Sequence, residues 1–327
     1  MMKRLGCGLL AAALLCDCGG ERPPINPTVV SFHGAAAGWM APSAQRQDLL
    51  YVSLVDPNEH EVLAYSYSGQ TLLGTLTGFD YPQALCVDAA QDLYVTDNGR
   101  YQISEFRHGG SNRIKVLVDP AGSPLGCAVD SISGDLAVAN FTSKGVGGGN
   151  LAIYRHAKGI PKVYVSDAIY YYWFPAYDSA GDLFVDGLNE GSSVALAELP
   201  HGAHKFHTLK LDQAIEYPGG IYWDARYLAV GDQRAGEIYE FAISNFTATL
   251  EKTTNVSTAD DLFEFWISPD DRVLVGAAYG DGHGDDSGVY YWKYPRGGSP
   301  RHTITGVPYA SGLVVSLARG APANGRR

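Results

Sequence analysis

The sequence predicts an all-β protein, and three observations predict it. Gly (39 residues) and Tyr (21) are abundant and Met (3) is scarce, a composition that suits tight turns and half-buried strands better than helices. Hydrophobic residues make up 46% of the chain and charged residues 18%, which is enough apolar surface for a core. One phrase also recurs along the chain: an apolar strand, Asp, a tight turn, then a Leu-Tyr-Val type strand.

The N-terminus comes first in chain order. Met1-Met2-Lys3-Arg4 precedes an apolar run from Leu5 to Leu15 and then Cys16-Asp17-Cys18-Gly19-Gly20, which is the pattern of a signal peptide over residues 1–18. The run is shorter than the ~20 apolar residues a spanning helix needs. Lipidation at Cys16 or Cys18 is one reading and plain secretion the other, because Leu15 and Asp17 stand where a lipoprotein signal carries a small residue. A lipid there would be the chain's membrane contact. The expected location is therefore exported: a cell-envelope lipoprotein, or a secreted or periplasmic protein. Residues 19–37, with Pro23-Pro24, read as a tether.

The first repeat unit has Leu49–Val52, Glu61–Ser66 and Thr71–Leu76 as its later strands. Its innermost strand is either Trp39–Pro42 or the C-terminal Gly312–Ser316, and the latter would close a ring and hide sheet edges. Five clear copies of the phrase follow. They run from Leu85-Cys86-Val87-Asp88 to Leu93-Tyr94-Val95, from Ala128-Val129-Asp130 to Leu136-Ala137-Val138, and from Ala176-Tyr177-Asp178 to Leu183-Phe184-Val185. The last two run from Ile221-Tyr222-Trp223-Asp224 to Leu228-Ala229-Val230, and from Phe265-Trp266-Ile267-Ser268 to Val273-Leu274-Val275. Asp88, Asp130, Asp178 and Asp224 stand 42, 48 and 46 residues apart, the length of a propeller blade. Third and fourth strands such as Gln102–Phe106, Arg113–Val118 and Glu237–Phe241 complete each unit. The expectation is a single domain over 38–316, a six-bladed β-propeller of four-stranded antiparallel blades, followed by a flexible tail at 317–327.

The phrase Val87-Asp88, Asp92-Leu93-Tyr94-Val95, Thr96-Asp97-Asn98 resembles NHL-repeat propellers and the wider gluconolactonase-like and strictosidine-synthase-like group, over nearly all of the mature chain. It also resembles uncharacterised exported bacterial propellers. The architecture hosts enzymes, binding proteins and scaffolds, so the resemblance speaks for fold more than for function. Metal-dependent lactonases of the group carry a channel Glu from the first blade and an Asn after Pro. Here Gly219 follows Pro218, and no Glu stands near Trp39.

Charge narrows the partners. A net charge of −11 and a pI near 5.2 oppose nucleic acid and anionic membrane surfaces. No Gly-x-Ser-x-Gly elbow, phosphate-binding loop motif, His-Glu-x-x-His or Cys-x-x-Cys occurs, and Glu59-His60-Glu61 has no second His in register. The chain therefore leans away from catalysis, and no cofactor is expected. The Gly-rich stretch 145–150 reads as a flexible hairpin loop. Asp281, Asp285 and Asp286, in a loop with alternating Gly, are weak candidates for a divalent cation, lacking the late bidentate Glu of calcium loops.

Two groups are candidate ligand-binding residues. Asp97, Asn140, Asp186 and Asp232 stand just after the second strands, where radial repetition gathers them into an interrupted polar ring; their plain role would be turn chemistry. Tyr170-Tyr171-Tyr172-Trp173-Phe174 cannot all enter one core, since strand side chains alternate, so Tyr171, Tyr172 and Trp173 are candidate anchors at a channel mouth; blade-to-blade packing is the other role. Cys86 and Cys127 occupy matching places of neighbouring repeats and either form a disulfide or stay as buried thiols. Thiols are preferred, because repeat-equivalent residues need not approach. The leading expectation is a monomeric, non-catalytic propeller that binds a protein, peptide or glycan through its loop face. The rival is a hydrolase or lyase of the gluconolactonase-like group with a divergent metal site carried by Asp186 and Asp232, and the third reading is a purely structural surface protein.

Overall fold

Six β-sheets arranged in a ring, antiparallel apart from one short outer strand, make up most of the described residues, in a computed structural model that describes residues 38–56, 60–144, 147–257, 259, 261–279 and 287–318. All of these belong to one compact unit, Ala35–Arg327. The innermost strands of blades 2 to 6 are Pro82–Val87, Gly122–Val129, Tyr171–Tyr177, Pro218–Trp223 and Leu262–Ile267. Each contacts the next around the ring. The architecture is a six-bladed β-propeller.

The ring closes through the C-terminus. Ala310–Ser316 pairs with Leu49–Val55 and becomes the innermost strand of blade 1, with Tyr51 opposite Val314 and Val52 opposite Leu313. Its all-buried run of small and β-branched residues, Ala-Ser-Gly-Leu-Val-Val-Ser, suits a strand enclosed on both sides. Trp39–Met40 lies instead on the outer edge of the same blade, against Thr75 and Gly74. Trp39 is half exposed there. Trp39 therefore lies on an outer strand and takes no part in the innermost layer of blade 1.

Two further features depart from the sequence expectation. Blades 1 and 5 each have a fifth strand; in blade 5 it is Lys210–Leu211, which leaves blade 4 and runs parallel to Thr247–Ala248. The second half of the Gly-rich stretch is strand, not loop, because Gly148–Tyr154 is the third strand of blade 3. A Cβ at Gly149 would lie 2.1 Å from the Asn140 carbonyl oxygen, so only Gly lets these strands approach.

Cys86 and Cys127 are bonded, correcting the preference for free thiols. Cys86 is the fifth residue of Pro82–Val87 and Cys127 the sixth of Gly122–Val129, and since these neighbouring innermost strands touch, the two come within 5.8 Å between Cα atoms. That separation is ordinary for a disulfide. Apolar clusters fill the spaces between consecutive blades; one joins Tyr94, Leu136, Val138 and Tyr154 around this disulfide.

Candidate functional site

The innermost strands all begin, and the second strands all end, at one end of the blades, so the connecting residues gather round one mouth of the channel. Aromatic side chains recur at this end. Phe141 lies near the end of the second strand of blade 3 (Leu136–Ser143), Tyr171 and Trp173 open blade 4, and Tyr217 precedes Pro218 in blade 5. Phe263 opens blade 6, Tyr279 follows its second strand, and Tyr309 precedes the closing strand.

These rings form one continuous row. Phe141 stacks on Tyr171 with centroids 4.8 Å apart and meets Trp173 edge-on at 5.9 Å. Trp173 in turn meets Tyr217 at 5.3 Å and Phe263 at 5.5 Å. Phe263 continues to Tyr279 at 6.3 Å, and Tyr279 to Tyr309 at 5.7 Å. Edge-to-face and offset contacts of this kind hold rings rigidly while leaving faces available. Trp173 lies at the centre of the row and is 3% exposed, yet its indole N–H has no hydrogen-bond partner among the described residues. The surrounding rings of Phe141, Tyr171, Tyr217, Phe263, Tyr279 and Tyr309 are partly accessible. Arg234 caps the Tyr217 ring at 4.9 Å.

The aromatic pentad thus splits as strand alternation requires. Tyr171 and Trp173, two residues apart on the strand, each pack against Phe141, with Tyr171 partly exposed and Trp173 buried. Tyr172 is fully buried between blades 3 and 4, where its hydroxyl accepts the Ser166 N–H and burial pushes its pKa up to about 12.

The acidic residues at the strand ends accept nearby main-chain N–H groups, whereas the amide of Asn140 binds side chains. Asp97 pairs with Pro82, Asn140 with Pro124 and Asp232 with Pro218, so these three occupy equivalent places. Asp97 accepts the Asp80 N–H at 2.9 Å and the Gln102 amide at 3.2 Å; burial raises its pKa to about 6. Asp232 accepts the Glu216 N–H at 2.7 Å and three further N–H groups, from Tyr217, Arg234 and Ala235. Asn140 donates to Asp119 and Asn150. Asp186 is one residue out of step with these three: it lies between the pairs Val185–Pro175 and Gly187–Tyr172, inside a bulge. Ser53 and Thr96 hold that place in blades 1 and 2, and each links its own innermost strand to the next blade's. Asp186 accepts the Phe174 N–H at 2.8 Å, but its other oxygen has no partner among the described residues, and burial raises its pKa well above the usual carboxylate range.

Sequence reading missed one axial residue. Glu264, on the innermost strand of blade 6, reaches past the closing strand: its Oε2 accepts the Leu313 N–H of blade 1 at 2.7 Å and the Leu85 N–H of blade 2 at 3.2 Å. Burial pushes its pKa up to about 8, opposed by those two N–H groups. In the sequence it looks like an interruption of the core phrase Phe263-Glu264-Phe265. The missed row of rings had a signal of its own, since Tyr-Pro opens both blade 2 (Tyr81-Pro82) and blade 5 (Tyr217-Pro218). No cluster of three or more His, Cys, Asp or Glu residues with metal-binding geometry occurs among the described residues. Asp281, Asp285 and Asp286 lie outside those residues, as do Cys16 and Cys18.

Fold and mouth together define a six-bladed β-propeller of a kind consistent with a binding or scaffold role. No protein-family model and no curated protein matches the chain. Solved structures do resemble it. A protein of unknown function from Bacteroides caccae superposes with a TM-score of 0.59 at 9% identity, covering 83% of this chain and 99% of that one. A protein from Lactobacillus plantarum gives 0.53 at 15%, with the same coverages of 83% and 99%. A chain of a nidogen/laminin complex gives 0.54 at 14%, covering 66% of this chain and 83% of that one. At such identities the likeness shows the fold alone.

Proposed function

We propose that this is a non-catalytic binding propeller of the exported, NHL-like kind, which takes a peptide or glycan segment of its partner across the aromatic mouth. The observation that carries the reading is the unbroken row of rings from Tyr171 to Tyr309, with the unpartnered Trp173 N–H at its centre. Partly exposed rings stack on sugar faces or apolar side chains, and a buried indole N–H usually finds an acceptor. Export is supported by the basic-then-apolar N-terminal pattern and by the Cys86–Cys127 disulfide, which persists in oxidising compartments.

The test is to probe peptide and glycan arrays with the native protein and with Tyr171→Ala and Tyr217→Ala. Tyr171 and Tyr217 are partly exposed, so their loss should weaken a common set of hits at least tenfold without altering the thermal midpoint greatly. Hits that survive both substitutions would contradict the reading. The gluconolactonase-like hydrolase reading has one observation in its favour, the axial Glu264 with its pKa near 8, since such displaced carboxyls cluster at functional sites. A lactone and ester screen in which native protein turns over a substrate and Glu264→Gln does not would favour it.

A further inference from the structure

At the opposite end of the strands, a cavity of about 270 Å³ opens between blades 4 and 5. Its walls include the carboxylates of Asp178, Asp182 and Glu198 and the rings of Phe184, Trp223 and Phe246. Phe184 and Trp223 stack nearly parallel, with centroids 5.9 Å apart and planes 6° apart. Glu198 is 8% exposed, yet its carboxylate makes no hydrogen bond or ion pair among the described residues, and the charges that act on it are the carboxylates of Asp182 and Asp178. The buried indole nitrogen of Trp223 is likewise unpartnered. Asp178 and Asp182 are occupied in turn bonds to Ala180, Asp182 and His201 main chain.

The propeller's own repetition says what this cavity lacks. Glu198 lies opposite Phe184 in the second strand, the place that Glu105 holds opposite Tyr94 in blade 2 and Glu240 opposite Ala229 in blade 5. In both sister blades the fourth strand sets a lysine directly across from this Glu: Lys115 against Glu105, and Lys252 against Glu240. Both pairs close. Lys115 Nζ bonds Glu105, and Lys252 Nζ lies 2.8 Å from Glu240 while sitting 5.0 Å over the Tyr227 ring. In blade 4 the residue across from Glu198 is His207, whose exposed ring stacks on Phe246 at 4.0 Å instead of bonding Glu198. The carboxylate and the aromatic wall are retained while the chain's own ammonium is not.

We infer that this cavity binds a primary ammonium group from outside the chain, seated on Glu198 against the Phe184–Trp223 stack as Lys252 is seated on Glu240. Three carboxylates with an aromatic wall make a site for a compact cation, through charge-assisted hydrogen bonds and cation–π attraction. A lysine side chain of a partner and a free small amine share this chemistry. The site is separate from the aromatic mouth and does not depend on it.

The experiment is calorimetric titration of the full protein with 1-butylamine, with Nα-acetyl-lysine methylamide and with the uncharged Nα-acetyl-norleucine methylamide. Binding of the amines and not of norleucine is expected. Glu198→Gln should weaken it at least tenfold. His207→Lys, which restores the lysine of the sister blades, should abolish it while leaving the thermal midpoint unchanged or higher; this variant covers the case in which Glu198→Gln folds poorly. A lysine derivative binding tenfold or more tighter than butylamine identifies a partner's side chain as the source, and equal binding a free amine. Absence of amine binding by the native protein, or binding that persists in His207→Lys, would overturn the inference.

Discussion

Two sectors of the ring are held by different chemistry. In blades 6, 1, 2 and 3 the innermost strands are joined by polar and covalent ties: Glu264 to Leu313 and Leu85, Ser53 to Gly312 and Gln83, Thr96 to Ala84 and Leu125, and the Cys86–Cys127 disulfide. From blade 3 through blade 5 to blade 6 the same level is filled by rings, and two polar atoms there, Trp173 Nε1 and the second oxygen of Asp186, have no partner among the described residues. The first sector contains the seam where the chain ends meet, and a seam gains most from bonds that fix register. The second contains no seam. There, unpartnered buried groups cost stability and make sense as groups kept for a ligand.

The largest expected effect tests the first sector. Glu264→Ala leaves two inward-facing N–H groups without an acceptor, at about 1–3 kcal/mol each, and denaturant unfolding should show a loss of about 2–6 kcal/mol. A loss under about 1 kcal/mol would mean the axis is not tied through this carboxyl. Glu264 also fixes a pH dependence. Its folded pKa of about 8 lies above its ordinary value of 4.5, so the folded state holds a proton that the unfolded state releases. Its stabilising contribution is complete below about pH 4.5 and is lost as pH rises to 8, at about 1.4 kcal/mol per pH unit within that window. The thermal midpoint should therefore fall from pH 5 to pH 8, and Glu264→Gln, which keeps an acceptor oxygen but does not titrate, should flatten most of that slope. An equal slope in the variant would assign it elsewhere.

Smaller effects follow. Reducing the disulfide, which closes a 41-residue separation, should cost about 3–4 kcal/mol, seen as a lower denaturation midpoint of Cys86→Ser/Cys127→Ser. In the aromatic sector, Trp173→Phe should cost about 1–2 kcal/mol of packing while removing the indole N–H, so ligand binding should fall more than stability does. Asp186→Asn should be smallest of all, under about 1 kcal/mol, because burial favours the uncharged form of this carboxyl and an amide oxygen can still accept the Phe174 N–H. A large loss there would show that the second oxygen is engaged and would erase the contrast between the sectors.

Much of the fold was legible because it repeats. The Asp-turn phrase placed the second strands, and Gln102–Phe106 and Arg113–Val118 are strands as expected. The choice between Trp39 and Gly312 for the closing strand needed three dimensions, since both are short apolar runs at a chain end. The disulfide was misjudged because spacing in sequence does not tell how nearly two innermost strands touch. Glu264 was illegible for a similar reason: Leu85, one of its donors, is 179 residues away. The pentad at 170–174 drew attention because its rings are adjacent in sequence. The row it belongs to draws single rings from Phe141, Tyr217, Phe263, Tyr279 and Tyr309, each unremarkable alone. Asp186 follows a Leu-Phe-Val strand much as Asp97 follows Leu-Tyr-Val, but one residue sooner, which places it inside a bulge that the sequence does not show.

The aromatic mouth as the binding surface is tested most directly by hydroxyl-radical footprinting of the native protein, free and saturated with the strongest ligand from the peptide and glycan arrays. The account predicts protection of Tyr171, Tyr217, Tyr279 and Tyr309, with Trp223 and Phe246 unchanged. Unaltered labelling of those four tyrosines in the saturated protein would contradict it.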